Sequence, residues 1–356
     1  MSSTARRATI ADVAREAGVS TSTASVVFSG KVNVADATRE RVLAAAAALG
    51  YAGPDPRAAS LRTGRSGIVG IVLGGELRHA FLDPVTTAMM DGLSDALASI
   101  STGILLLRDD PEGEQAPIAE APVDAVVLIG CSGRTRAALE TVRQRGLPVV
   151  VIEGEAGKGI PQITLDNREA SAGIARYVRE LGHTRVATLT LPLDAGREVG
   201  PITPERIAAA TVDVTLDRLA GFREVFPDAA GVTAAASLVD EGMIATRALL
   251  VDADGALRAD RPTAIVAQSD LLAVGAIRAA EELDLRVPED LTVVGFDGIN
   301  ADGLGSLKLT TVAQPAVAKG RAAGEQVARM LSGADGQSVH FTCTFREGET
   351  AAPPAS

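Results

Sequence analysis

Apolar positions in the first fifty residues recur with the period of short helices. In the stretch ATIADVAREAGVSTSTASVVFSG, residues 8–30, Ile10, Val13, Ala14 and Ala17 fall at i, i+3, i+4 and i+7, one face of a helix. Thr9 suits the N-cap and Asp12 the positive first turn, while Gly18 can take the left-handed conformation that ends the helix. Ser20 then caps a second helix with Ala24, Val27 and Phe28 on its inner face. A third helix is expected from Asp36 or Ala37, with Val42, Ala45, Ala46 and Leu49 at the same spacing, closing a small three-helix core. Tyr51-Ala52-Gly53-Pro54-Asp55-Pro56 breaks the pattern. Arg57–Arg62 follows as one or two turns of helix, marginal in water by itself, and Thr63–Gly67 ends it.

From Gly67 the texture changes to strands alternating with helices. Near-continuous apolar runs at Ile68–Leu73, Gly103–Leu107, Ala125–Ile129, Pro148–Ile152, Val186–Leu191, Thr233–Ser237, Ala264–Ala267 and Leu291–Gly295 read as strands. Amphipathic stretches separate them at Pro84–Ser99, Arg134–Arg145, Arg168–Leu181, Pro204–Phe226, Glu241–Val251 and Asp270–Leu283. Such alternation predicts an α/β fold with parallel sheets covered on both faces, as two doubly wound lobes or as a single barrel. Pro315–Leu331 is a late helix, Val339–Phe345 a closing strand, and 347–356 a frayed, flexible tail.

The outer face of the second helix carries Thr21, Ser22, Ser25, Val26 and Ser29, small and largely hydroxylic. That surface suits close docking into a groove, where short side chains reach base edges and phosphates. The pattern is that of a helix-turn-helix; the competing reading, an αα-hairpin in a bundle, recedes once the third helix is counted. Thr38, Arg39 and Arg41 at the start of that helix offer a hydroxyl and two guanidiniums for phosphates. Charge bears on this reading. The 356 residues carry a net charge of −11, yet residues 1–65 hold nine basic and five acidic residues, a net of +4, and the remainder is −15. A basic amino-terminal module on an acidic body is the asymmetry expected when one end touches DNA.

Other chemistry is sparse. The two cysteines, Cys131 and Cys343, form no disulfide framework and no metal spacing, so both read as buried thiols in a reducing compartment. No signal-peptide core and no 18-residue apolar run occurs, so the chain is expected to be cytoplasmic, with no membrane contact. His79, His183 and His340 are isolated, and Gly303-Leu304-Gly305 is too short for a dinucleotide fingerprint. No phosphate-binding loop and no acid/base constellation is found. An enzyme, a bound cofactor and a metal are therefore not expected.

In order and spacing these residues resemble the lactose-repressor/galactose-repressor (LacI–GalR) family of bacterial transcription regulators. The stretches that carry the resemblance are Thr9–Ser20, Ala58–Ser66, Leu181-Gly182-His183, Arg218–Phe222, Ser269–Ala276, Val293–Gly298 and Leu309–Pro315. The resemblance implies a helix-turn-helix headpiece over 1–53, a hinge over 54–66 and a two-lobed, periplasmic-binding-protein-like core over 67–346. Chain crossings are expected near 166–168, 313–316 and 338–341. It also implies a homodimeric repressor on double-stranded operator DNA, released or recruited by a small-molecule effector held between the lobes. DNA contacts would come from Thr9, Ser20, Thr21, Ser22, Thr23, Ser25, Val26, Ser29, Asn33, Thr38 and Ala58, with Leu61 wedged between central base pairs.

The same resemblance places Phe81, Asp166, Arg218, Ser269, Asp297 and Gln314 at the effector, and Arg197, in a segment longer than usual, is a further candidate. Arg218 offers a fork of donors, while Asp166 and Asp297 accept hydroxyl protons. Competing readings are a surface ion pair of Arg218 with Asp217 or Glu224, and a turn cap for Asp297. Phe81 is an aromatic platform or the start of a helix face, and the Leu191–Pro204 segment carrying Arg197 a roof or a plain loop. Four positions depart from the family pattern. Val26 stands where a long polar residue is usual, Ala52-Gly53 is one residue longer than usual, Ala59 replaces a common Arg, and Ser269 a frequent Asn. With no Trp and 3% aromatics, a sugar is one candidate effector among small polar metabolites such as nucleosides and amino-acid derivatives. The alternative to a regulator is a sugar-binding component of a transport system.

Overall fold

The structure, a computed structural model, describes residues 8–29, 33–53, 64–74, 77–109, 117–130, 133–299 and 307–355. The chain divides into two compact units, Met1–Gly67 and Ile68–Ser356.

In the first unit, α1 (Ile10–Glu16), α2 (Thr21–Ser29) and α3 (Asp36–Ala48) enclose a core of small side chains. Val13, Ala14, Ala17, Ala24, Val27, Val42, Ala45 and Ala46 are buried together. Phe28 closes one side, its ring edge-on to Tyr51 at 5.3 Å between centroids. A reciprocal capping box starts α1: the Thr9 hydroxyl oxygen accepts from the Asp12 N–H, and the Thr9 N–H donates to the Asp12 carboxylate. Gly18 takes φ +64 at the turn, as its lack of a side chain permits. Leu49, expected on the inner face, is exposed, because α3 has ended by Ala48 and Leu49 is its C-cap.

Among the described residues of the second unit there are two separate sheets, which excludes a barrel. The first lobe is built on β1 (Ile68–Gly74), β2 (Gly103–Asp109), β3 (Ala125–Ile129), β4 (Val149–Ile152), β5 (Gln162–Leu165) and the late β12 (Val339–Phe341), in the order β12-β5-β4-β3-β1-β2 and all parallel. Alternate side chains of these strands feed two cores. Val127 and Ile152 pack with α5 (Pro84–Ala98) and α12 (Ala316–Leu331), while Val126, Leu128 and Val151 pack with α6 (Gly133–Gln144). The short α4 (Leu77–Leu82) precedes α5.

The second lobe contains β6 (Val186–Thr190), β7 (Gly200–Pro201), β8 (Gly231–Thr233), β9 (Ala264–Ala267), β10 (Thr292–Asp297), β11 (Thr310–Ala313) and β13 (Thr344–Arg346), in the order β13-β11-β10-β9-β6-β8-β7. Its helices are α7 (Asn167–Glu180), α8 (Pro204–Ala208), α9 (Asp213–Val225), α10 (Val239–Leu250) and α11 (Asp270–Glu282). The outer strands β7 and β13 run antiparallel to their neighbours. The chain passes between lobes three times: from β5 into α7, from β11 into α12, and from β12 to β13.

Several elements differ from the expected ones, each for a local reason. Val339–Phe345 is not one strand but two, paired to different sheets, so the third crossing falls after Phe341. The short strand β5, Gln-Ile-Thr-Leu, has too little apolar run to stand out in the sequence. Pro204–Phe226 divides because the N–H groups of Thr211 and Val212 both donate to the Leu193 carbonyl instead of continuing a helix. The strand expected at Thr233–Ser237 is Gly231–Thr233.

The frayed tail is also corrected. The Val293 N–H donates to the Thr350 carbonyl at 2.8 Å, and the Thr350 hydroxyl donates to the Val293 carbonyl at 2.6 Å. The same hydroxyl oxygen accepts from the Thr310 N–H at 3.0 Å, and Thr350 is fully buried. The Ala352 carbonyl accepts from Nε2 of buried His183 at 2.8 Å, and Nδ1 of that ring bonds the Thr263 hydroxyl. The segment satisfies backbone groups that β10 and β11 would otherwise leave unpaired, which fixes it in place. Thr350→Val, which keeps the shape and removes the hydroxyl, is expected to lower the unfolding free energy by about 1–3 kcal/mol in urea titration; an unchanged midpoint would mean the hydroxyl contributes nothing.

Candidate functional site

Close helix packing sets two of the cations at the lobe boundary. Gly221 lies where α9 presses on α7: a Cβ there would stand 2.0 Å from the Arg168 carbonyl oxygen. Gly320 lies where α12 presses on α5: a Cβ there would stand 1.9 Å from the Met89 carbonyl oxygen. These approaches hold Arg218 in the second lobe and Lys319 in the first. Two carboxylates meet them from strand ends. Glu153 follows β4 with φ +52, and Asp297 ends β10 with φ +123. Both are rare backbone states for residues with side chains, and such strain persists where the surroundings enforce it.

The four charges are joined into a ring by two amides. Lys319 Nζ donates to Glu153 Oε2 at 2.7 Å and also to Gln314 Oε1. Gln314 Nε2 donates to Asp297 Oδ1 at 2.6 Å, and that oxygen lies 3.5 Å from Arg218 Nη1. Arg218 Nε donates to Asn167 Oδ1 at 2.8 Å, and Asn167 Nδ2 returns to Glu153 Oε1 at 3.1 Å. Each amide turns its oxygen to a cation and its nitrogen to a carboxylate. The circuit therefore closes with every bond in its favourable sense. Its cations are buried: Lys319 is 0% and Arg218 3% exposed. The Arg218 guanidinium stacks 3.7 Å above the centre of the Phe296 ring and donates to the Gln268 carbonyl at 2.6 Å.

Burial alone would raise the Glu153 pKa; the charges of Lys319 and Arg218 outweigh it and hold that carboxyl below its usual range. At Asp297 the balance reverses, burial lifting the carboxyl well up against the pull of Arg218. Beside it, Asp270 accepts from the Thr311 hydroxyl and the Ile299 N–H, and burial raises it to about 7.

Of the effector residues expected from the sequence, the structure brings Arg218, Asp297 and Gln314 together. Arg218 is not in a surface ion pair; Glu224 instead meets Arg168 at 2.6 Å. Ser269 is buried nearby, but its hydroxyl is committed as the N-cap of α11 and to Ser237. Asp166 is held outside the circuit by the Cys343 N–H at 2.8 Å and lines a separate groove of about 360 Å³ with Glu169, Tyr177 and Phe345. Burial, reinforced by the Asp166 carboxylate, pushes the Cys343 thiol up and away from reactivity. Phe81 is 68% exposed on α4 and forms no part of the circuit. Arg197 lies in a turn whose N–H groups donate to Asp194, on the way to the edge strand β7. The Leu191–Pro204 segment thus extends the sheet edge. Glu153, Asn167 and Lys319 were not anticipated. An Asp-Asn pair opening a helix and a lone Lys in the inner face of α12 were the signals present.

In the headpiece Thr21 and Ser22 are exposed, and Thr23, Ser25 and Val26 half-buried. Ser20 is an N-cap, its oxygen accepting from the Thr23 N–H at 3.1 Å, and Thr9 is committed to its capping box. Asn33 is exposed and Thr38 half-buried. Ala58, Ala59, Leu61, Cys131, the glycine run at 303–305 and the side chains of Ser29 and His79 lie outside the described residues.

Residues 9–53 match the family described as bacterial regulatory proteins, lacI family, and residues 175–350 match the periplasmic binding protein-like domain. Over 98% of its length the chain is 36% identical to an HTH-type transcriptional regulator of Mycobacterium tuberculosis, 98% of which is covered. The chain belongs to the lacI family of bacterial regulatory proteins. Its architecture agrees with a solved transcriptional regulator from Corynebacterium glutamicum at TM-score 0.70 and 26% identity, covering 98% of this chain and 100% of that one. It also agrees with the lac repressor dimer bound to operator, at TM-score 0.73 and 20% identity over 98% and 100% of the two chains, a likeness of fold alone. Members of this family are DNA-binding transcriptional regulators. Among the described residues, no helix is long and apolar enough to cross a membrane.

A lacI-family protein with this boundary has a pH signature. Asp270 binds its proton more tightly folded than unfolded, so stability should fall as pH rises from about 4 to about 7 and level off above. Asp270→Asn is expected to shallow that slope when urea midpoints are compared across the window, with Asp297, raised in the same sense, keeping its own share; an unaltered slope in the variant would assign it elsewhere.

Proposed function

We propose that this lacI-family chain is a repressor that binds double-stranded operator DNA as a homodimer and reads a small polar metabolite in the boundary between its lobes. The observation that carries the reading is the buried circuit itself. Its members come from both lobes and from the connecting segments, so a ligand that engages Arg218, Asp297 or Gln314 acts on groups whose positions depend on the lobe angle. A polyhydroxylated compound, such as a sugar, suits a site rich in paired donors and acceptors. The aromatic ring stacked on Arg218 belongs to the protein, which leaves nucleosides and amino-acid derivatives as further candidates.

On the DNA side, the exposed face of α2 offers Thr21 and Ser22 but no Arg, Lys, Asn or Gln. Bidentate readout of a base, worth about 1–3 kcal/mol, is then not supplied by that helix. Hydroxyls read base edges and phosphates, Val26 meets a thymine methyl, and a hinge carrying Leu61 kinks the centre of the operator. A component of a sugar transport system would share the lobes but has no use for the headpiece.

Gel retardation of the full chain on its own upstream DNA tests both halves. The shift is expected to be sequence-dependent, to weaken steeply with salt, and to drop when Thr21 and Ser22 are both changed to Ala. Site selection is expected to return thymine, not guanine, opposite Val26. A metabolite found by thermal-shift screening of the same protein should change operator affinity by the factor by which operator changes its own affinity. A salt-insensitive shift, or a ligand without effect on DNA binding, contradicts the reading.

A further inference from the structure

Lys319 is buried where a cleft between two lobes would receive a ligand, and its ammonium already meets two acceptors. Glu153 Oε2 and Gln314 Oε1 converge on that one nitrogen, Glu153 from the first lobe and Gln314 from the segment crossing between lobes. A donor supplied by a small molecule would find both acceptors occupied. Glu153 is held by an unusual backbone angle so that its second oxygen accepts from Asn167, the first residue of the second lobe's α7. The ammonium therefore sits on the path by which one lobe is bonded to the other.

We propose that Lys319 is a tethered internal ligand: its ammonium stands in for the donor group of a small molecule and holds the lobe boundary in one arrangement. An effector enters by presenting a hydroxyl or ammonium donor of its own to Glu153 and Gln314, and Lys319 is the positioning residue it displaces. The regulatory meaning rests on the interlobe reading proposed above. The role of the ammonium itself does not.

The side chain offers a direct test, because Lys319→Ala deletes the equivalent of n-propylammonium. The full-length variant is expected to melt below the unaltered chain and to regain several degrees, saturably, with n-propylammonium chloride. Sodium chloride at equal ionic strength and 1-propanol should not restore it. Lys319→Met keeps the length and loses the charge. In both variants, amide exchange across Ile152–Arg168 and Val312–Gly320 is expected to quicken, and n-propylammonium should slow it again only in the alanine variant. If 1-propanol restores the alanine variant as well as the ammonium does, or the methionine variant exchanges like the unaltered chain, the side chain merely fills space and the proposal is wrong. Should the alanine variant not fold, the exchange rates of the methionine variant decide. Neither DNA nor a metabolite enters these measurements, so their outcome is separable from that of the regulator reading.

Discussion

Two ion pairs and two amides, arranged so that each amide bridges a cation of one pair to a carboxylate of the other, are the constraint on which the lobe boundary depends. A buried charge stripped of its partner costs several kcal/mol, so no member of the circuit can move far alone. Lys319 and Glu153 belong to the first lobe, Arg218, Asp297 and Asn167 to the second, and Gln314 to the segment crossing between them. The bonds thus make the relation between the lobes a matter of discrete hydrogen-bond geometry. A sliding surface of apolar contacts would not. Regulation needs such an element, since a ligand can only bias states that already differ in their contacts.

The fold supplies this constraint with little specialised machinery. Glycines at two helix crossings bring α9 onto α7 and α12 onto α5, and this fixes the backbones that carry Arg218 and Lys319. Strand ends supply the carboxylates, as is usual where open α/β sheets bind ligands beyond the carboxyl ends of their strands. The C-terminal segment pins β10 and β11, the two strands that lead to Asp297 and Gln314, through Thr350. Residues far from the circuit therefore act on it by holding strand ends in place.

Much of this was legible in the order of residues and some of it was not, for identifiable reasons. Helix spacing located the headpiece core because Val13, Ala24, Val42 and their neighbours obey one period in each helix. Apolar runs located the parallel strands because strands covered on both faces cannot alternate. Short strands escaped: β5 is too brief to bias its composition, and Val339–Phe345 reads as one strand because nothing local says that its halves pair with different sheets. Arg218, Asp297 and Gln314, expected at the effector through resemblance, are joined by the structure in one circuit. Lys319 falls on the inner face of α12 with Ala323 and Val327, but its partner Glu153 comes from a distant strand end, which helix spacing alone does not reveal. Phe81 and Asp166, expected at the effector through the same resemblance, lie outside the circuit, Phe81 exposed on α4 and Asp166 bonded to the Cys343 N–H.

The most direct measurement of the central claim is a double-mutant cycle between Arg218→Met and Lys319→Met, read as unfolding free energies of the full chain in urea. These residues share no hydrogen bond with each other and are linked only through Asn167, Glu153, Gln314 and Asp297. A closed circuit predicts a coupling of about 1 kcal/mol or more, because the second substitution acts on a ring already broken. Additivity within about 0.5 kcal/mol would show two independent ion pairs and no circuit.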